Sequence, residues 1–320
     1  MPDFSIITPV YNGEAYIEST VCSVLESANK SNLSYEYIII DDGSTDGSAK
    51  ILSNFHDRIR YVYRENSGQA ISINYGLTLA TGMYSTIVNA DDPLISAELF
   101  IKSKHLLDLD ESLVGTYPDW QIIDSENRVI EVVKVKDYSL DEIVGNFNCL
   151  IGPGGVFRTN AAQDVGGWNP KFRFVPDYDF WLRMLIHGKY QHIPSVLANW
   201  RSHNNSISVS SKGLEMARER IQVIESYLKA NPQTPKKIRK SAKANSLYRA
   251  AVLCFFDKRI NGRALFIQAL IAKPSIIIRR NALITLFLLL WPISGFFLNK
   301  VKDLKVIANI AKRIQKNLKN

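Results

Sequence analysis

Residues 35–46 read Y-E-Y-I-I-I-D-D-G-S-T-D. Tyr35 to Ile40, aromatic and β-branched in its apolar positions, predicts a strand. Asp, Gly, Ser and Thr then supply turn chemistry that stops it. The same order recurs on either side. Phe4–Val10 (F-S-I-I-T-P-V) predicts a strand, and Tyr11-Asn12-Gly13 a turn. Asn12 is expected to cap the next helix, with Glu14 in its first turn and Ile17, Val21, Val24 and Leu25 at three-to-four spacing. Residues 46–55 and 68–80 read as helices, and 59–63 and 84–88 as strands, the last running into Asn89-Ala90-Asp91-Asp92-Pro93. Strand and helix alternate four times, which implies parallel pairing through helical crossovers in an α/β sandwich.

Ligands of open α/β sheets bind outside the carboxyl ends of the strands. Three predicted strands end in polar clusters there: Pro9-Tyr11-Asn12, Asp41-Asp42 and Asp91-Asp92. No G-x-G-x-x-G follows a strand and no G-x-x-x-x-G-K-[ST] occurs, so nicotinamide and P-loop chemistry lose their support.

The remaining composition separates two halves of a 320-residue chain with net charge +8. Residues 1–212 hold 17 Lys and Arg against 26 Asp and Glu, net −9; residues 213–320 hold 22 against 5, net +17. A hydrophobic fraction of 46% excludes wholesale disorder. The three cysteines, Cys22, Cys149 and Cys254, are scattered without a C-x-x-C, which excludes a disulfide framework and a structural zinc site and favours a reducing compartment. Asp3, Glu14 and Glu18 stand where a secretory signal needs a basic and then an apolar stretch, so a cytoplasmic location is expected.

Several motifs then fall in one order: P-V-Y-N (9–12), I-D-D-G-S-T-D (40–46), G-Q-A-I-S-I-N-Y-G (68–76), N-A-D-D (89–92), G-G-W-N-P (166–170), D-Y-D-F-W-L-R (177–183) and W-R-S-H (200–203). Over residues 4–205 the chain resembles the inverting family 2 glycosyltransferases. The resemblance implies a GT-A nucleotide-diphospho-sugar sandwich with a mostly parallel central sheet, followed here by a helical C-terminal region. It implies a nucleotide-sugar donor, UDP favoured, held by Pro9, Tyr11, Asn12, Glu14, Asp42, Gln69, Asn74 and Asp91. Tyr11 would pack on the base and Asp42 accept from its ring N–H. Asp92, with His203, would hold Mg²⁺ or Mn²⁺, hard ions that suit oxygen ligands and phosphates. Asp177 would be the general base. Phe180, Trp181 and Met184 share helical spacing with it, so Asp177 opens a helix whose dipole favours its charged form. Pro176 stands where relatives carry Glu. Gly152-Pro153-Gly154-Gly155 is expected to be an acceptor-facing loop.

The expected domains are 1–212, catalytic, and 213–320, basic and helical, with helices at 214–230, 235–256 and 261–272. Residues 282–298 (A-L-I-T-L-F-L-L-L-W-P-I-S-G-F-F-L) carry no charge, yet 17 helical residues reach only about 26 Å. Arg279 and Arg280 precede them, and Lys300, Lys302 and Lys305 follow. Two basic flanks fit a segment lying on the anionic cytoplasmic face better than a span. Seven Lys and Arg between 300 and 319 surround an apolar stripe from Val301 to Leu318. The partners expected are therefore a nucleotide-sugar donor, a glycan or lipid-linked acceptor and the cytoplasmic membrane surface. Two alternatives stand beside this: a sugar nucleotidyltransferase, and a nucleic-acid binder using the basic half. Aliphatic runs between the basic residues, with few aromatics for base stacking, argue for lipid and against nucleic acid.

Overall fold

The computed structural model describes residues 1–202, 213–256 and 262–278. Two compact units make up the chain: Met1–Tyr138 with Cys149–Ile207, and Ser139–Asn148 with Ser208–Asn320.

The first unit is a sheet with helices on both faces. Its strands are β1 (Phe4–Val10), β2 (Tyr35–Asp41), β3 (Arg60–Tyr63), β4 (Tyr84–Ile87), β5 (Leu113–Ile123), β6 (Val129–Val133), β7 (Val156–Arg158) and β8 (Lys189–Arg201). They run in the order β3-β2-β1-β4-β7-β5-β6, with β8 paired to β5. The β3-β2-β1-β4 half is parallel, as the alternation predicts. β7 enters antiparallel to both β4 and β5, and β6 is antiparallel to β5, so the whole sheet is mixed. β8 returns to a parallel pairing.

Every residue of β1 is buried, and successive side chains serve opposite faces. Ile6 and Val10 join Val21, Val24 and Leu25 of α1 (Ile17–Ser31) and Leu99 and Phe100 of α4 (Glu98–Leu109) in one core. Ile7 faces α3 (Gln69–Leu79) instead, where a Cβ on Gly76 would lie 2.5 Å from Ile7 Cγ2. The glycine lets that helix approach the sheet. The short helices α2 (Ser48–Ser53) and α5 (Thr159–Asp164) and the longer α6 (Pro176–Met184) complete the unit.

One local expectation is corrected. Asn12 does not cap α1, which starts only at Ile17; it takes φ 50° in the left-handed region. Its Oδ1 accepts from Thr45 N–H at 2.8 Å, and its own N–H donates to Ser44 Oγ at 3.0 Å. Gly13 N–H donates to Ser48 Oγ, Glu14 N–H to Asp46, and Gly47 N–H to the Glu14 carboxylate at 2.9 Å. Two turns that follow neighbouring strands are thus sewn together, at about 0.5–1.5 kcal/mol for each bond.

The second unit contains α7 (Gly213–Ala230), α8 (Lys236–Phe256) and α9 (Gly262–Ala272), close to the helices expected from the spacing. Ala244, Tyr248, Ala251 and Val252 of α8 pack with Phe266, Ala269 and Ile276. It also takes in Ser139–Asn148, a segment with no separate signal in the sequence. Asn245 donates to Gly145 O at 2.7 Å and Arg249 to Asn148 Oδ1 at 2.6 Å, anchoring a π-helical turn at Asp141–Gly145 to α8. Among the described residues no helix is long and apolar enough to cross a membrane. The stretches 282–298 and 301–318 lie outside the described residues.

Candidate active site

The parallel strand order places the ends of β2, β1 and β4 side by side. Tyr11 follows β1 with 54% of its surface exposed, a flat aromatic face at the sheet edge. Pro9 lies within β1, paired in register with Ile40.

The two β2 acids have different duties. Asp41 is fully buried and structural: Ser44 N–H donates to one oxygen at 2.8 Å and the Tyr61 hydroxyl to the other at 2.7 Å. Asp42 receives Ser67 N–H and Oγ–H on one oxygen and Gly68 N–H, at 2.8 Å, on the other. It thereby holds the start of α3. A carboxylate has about four lone-pair sites, so acceptor capacity is left on Asp42.

From α3 a polar chain crosses the edge. Gln69 Nε2 donates to Asn89 Oδ1 at 3.0 Å, Asn89 Nδ2 to Asp92 Oδ2 at 2.9 Å, and Arg201 N–H to Asp92 Oδ1 at 2.7 Å. Asp92 is 4% exposed and has both oxygens engaged. Burial, then the neighbouring Asp91 charge, push its carboxyl up to about 8. Asp91 is the less buried member of the pair.

Arg201 had no role assigned from sequence, yet it organises this edge. It is 1% exposed and lies 4.5 Å over the Tyr16 ring. Its guanidinium donates to Asp91 O at 2.9 Å, to Asp124 O at 2.7 Å and to Asn127 Oδ1 at 2.7 Å. An arginine ending a strand that reads Val-Leu-Ala-Asn-Trp was the available signal, because such a group must find acceptors when buried. Asn89, the link between Gln69 and Asp92, was also passed over.

Asp177 lies in the first turn of α6, half-buried. Pro176 occupies the helix start, where its missing N–H costs nothing. Asp179 is different in kind. It is buried and accepts from Arg183 Nε at 2.7 Å. Burial raises its carboxyl, and the Arg183 charge opposes that only in part.

Asn74 is a correction. Rather than facing a donor, its amide donates to Trp168 O at 2.7 Å and accepts from Trp168 N–H at 2.6 Å. Glu14 accepts the Gly47 N–H on one carboxylate oxygen. The Gly152–Gly155 loop lies against aromatic and proline side chains: a Cβ on Gly152 would meet Trp120, on Gly154 Pro118 and Ala198, and on Gly155 Trp181. His203 lies outside the described residues. Among the described residues no cluster of three or more His, Cys, Asp or Glu could hold a metal.

The sequence model of the family described as Glycosyl transferase family 2 matches residues 5–96. The putative teichuronic acid biosynthesis glycosyltransferase TuaG of Bacillus subtilis is 31% identical over 216 residues, covering 65% of this chain and 82% of TuaG. The chain belongs to glycosyl transferase family 2. An uncharacterized glycosyltransferase of Rickettsia typhi is 28% identical over 214 residues, 63% of this chain and 65% of that protein. Thus the match spans just under two thirds of the Rickettsia relative's length. Among solved structures, Staphylococcus aureus TarS residues 1–349 in complex with UDP-GlcNAc superposes at TM-score 0.58 with 14% identity, covering 86% of this chain and 91% of that one. The mannosyltransferase PcManGT of Pyrobaculum calidifontis, in complex with GDP-Man and Mn²⁺, superposes at 0.53 with 14% identity, covering 90% and 85%. This family 2 glycosyltransferase therefore has the GT-A fold, with the mixed sheet and helical C-terminal region described above.

Proposed function

We propose that this glycosyltransferase moves a sugar, with inversion, from a nucleotide-diphosphate sugar to a hydroxyl of a glycan or lipid-linked acceptor in envelope polysaccharide synthesis. The observation that carries the reading is the acid pair Asp91-Asp92 after β4, at the sheet edge where Tyr11 follows the adjacent β1 and Asp42 follows β2, one strand further on. TuaG, named for teichuronic acid biosynthesis, and the TarS complex with UDP-GlcNAc support an envelope glycan and a UDP-sugar.

Tyr11 offers its exposed ring to the base, and Asp42 accepts from a ring N–H, as uracil presents. Gln69 and Asn89 hold the diacid loop level with the start of α3. Asp177 takes the acceptor hydroxyl proton as its oxygen attacks the anomeric carbon, and the diphosphate leaves from the opposite face.

The acid pair fits a divalent cation. Burying Asp92 beside Asp91 leaves a strained pair whose ionised state needs positive charge nearby. Since Asp92 is buried and Asp91 less so, we assign Asp91 as the carboxylate ligand, with Asp92 holding the loop; this exchanges the two roles expected from sequence. Mg²⁺ or Mn²⁺ held there would stabilise negative charge on the departing diphosphate. A screen of UDP-, GDP- and dTDP-sugars for hydrolysis and transfer with each ion tests the reading. UDP-sugar turnover that depends on the ion, and falls at least tenfold in Asp91→Asn, is expected. Ion-independent turnover, or none with any sugar nucleotide, sinks it.

The acceptor is placed at the cytoplasmic membrane face, with residues 279–320 as the attachment; the support is their sequence alone. Ile276 is buried in the helical unit, so a truncation should stop after Ile278 rather than before it. The truncated protein is expected to leave anionic vesicles in flotation while binding UDP as the full chain does. Flotation of both forms alike would place the attachment elsewhere.

A further inference from the structure

Four side-chain hydrogen bonds close on one short loop, residues 165–168. From one side, Arg183 Nη1 donates to Val165 O and Nη2 to Gly167 O. From the other, Asn74 holds both the N–H and the C=O of Trp168. The loop is shaped to receive them. Gly166 and Gly167 are consecutive left-handed residues, φ 73° and 67°, and a Cβ on Gly167 would lie 2.2 Å from Asn74 Oδ1. The Arg183 fork is itself aimed by Asp179.

The two sides of this clamp belong to different parts of the site. Asn74 sits on α3, whose first residues are tied to Asp42 and to Asn89. Arg183 sits on α6, whose first turn carries Asp177. Aromatic packing also attaches α6 to the sheet, since Phe157 lies 5.4 Å from Phe180 and 5.6 Å from Trp181. Such packing resists separation, but it defines the slide and rotation of a helix loosely compared with hydrogen bonds to fixed carbonyls.

We infer that Arg183, opposed by Asn74 across the 165–168 loop, is a positioning residue for the transfer step, setting Asp177 against the donor held at the start of α3. The inference rests on the reading of Asp177 as the base. Arg183 touches no reacting atom; it acts by holding α6 in register. A displacement of about 1 Å at a reacting group is enough to cost on the order of 10² in rate.

Arg183→Lys keeps a charge to pair with Asp179 but cannot reach two carbonyls at once. Asn74→Ala opens the clamp from the opposite side. For each variant, kcat with a UDP-sugar, UDP affinity by calorimetry and the melting temperature are measured on the full chain. The expected result is a kcat lowered about ten- to hundredfold with UDP affinity within about threefold of wild type. The double variant should fall no further than the worse single one, because both act through one loop. A folded variant with kcat within about threefold of wild type overturns the inference, as does a parallel loss of kcat and UDP affinity. Should Arg183→Lys fail to fold, Asn74→Ala decides. Asp177→Asn belongs in the same series. If it abolishes transfer while both clamp variants turn over normally, only the positioning role fails; if it turns over normally, the base reading fails and the inference with it.

Discussion

Asp177→Asn is expected to lower transfer by roughly 10²–10⁴, the usual contribution of a positioned general base, with UDP affinity unchanged. Asparagine keeps the shape of the side chain and cannot take a proton. The competing account gives Asp177 only a helix-dipole role, because it stands in the first turn of α6 beyond the Val175 cap. That account predicts a stability change of about 0.3–1 kcal/mol and intact turnover. Measured kcat within about threefold of wild type would send the base assignment elsewhere. Asp179→Asn is not a usable control, although it lies only two residues on. Its carboxylate is buried against Arg183, so the substitution loosens the loop at 165–168 as well. Glu26→Gln, in an exposed pair with Lys30 on α1, is the suitable control and should leave transfer at the wild-type rate.

Arg201→Ala carries the largest expected effect on stability. The substitution removes the guanidinium from Asp91 O, Asp124 O and Asn127 Oδ1, of which Asp124 O keeps the Asn127 N–H, and empties the space over the Tyr16 ring. The acceptors are half-buried at Asp91 and Asp124 and exposed at Asn127, so each lost bond costs about 0.5–1.5 kcal/mol, and the cavity left by the buried side chain brings the expected total to about 3–5 kcal/mol. At about 2–4 °C per kcal/mol for a unit of this size, the melting temperature should drop by roughly 10 °C or more. Arg201→Lys should recover little, because a single ammonium cannot span three acceptors in a fork. Equilibrium denaturation showing less than about 1 kcal/mol of loss would mean that the edge is held by other contacts. The Arg201 main-chain N–H to Asp92 survives either change, so residual ion-dependent UDP binding in the folded fraction is compatible with the role described here.

Much of the fold was legible because its signals are local. Isoleucine runs, turn residues and three-to-four spacing placed β1 to β4, α1 to α3 and the helices of the basic half within a few residues of where they lie. The sheet's second half was harder to read. β7 is three residues long and β5 runs without alternation because most of its side chains are buried, so neither carries a clear period. The residue types of the candidate site were visible in the sequence: Asp41-Asp42 at the end of β2, Asp91-Asp92 after β4 and Asp177 in the first turn of α6.

What sequence by itself determined was the parallel α/β half, the location of the acids at strand and helix ends, and the division of charge between acidic and basic halves. Each follows from properties a residue shares with its near neighbours. Only the tertiary structure decided how the acids divide their duties. Asp41 went to a turn and Tyr61, Asp92 to Asn89 and Arg201, and Asn74 to a loop rather than a donor. The reason is physical. A buried polar group must find a partner, but the partner is whichever group the packed chain brings within 3 Å. For Asn74 that group lies 94 residues away, and for Asp92 one of its two partners lies 109 away, distances over which no periodicity or turn rule carries information.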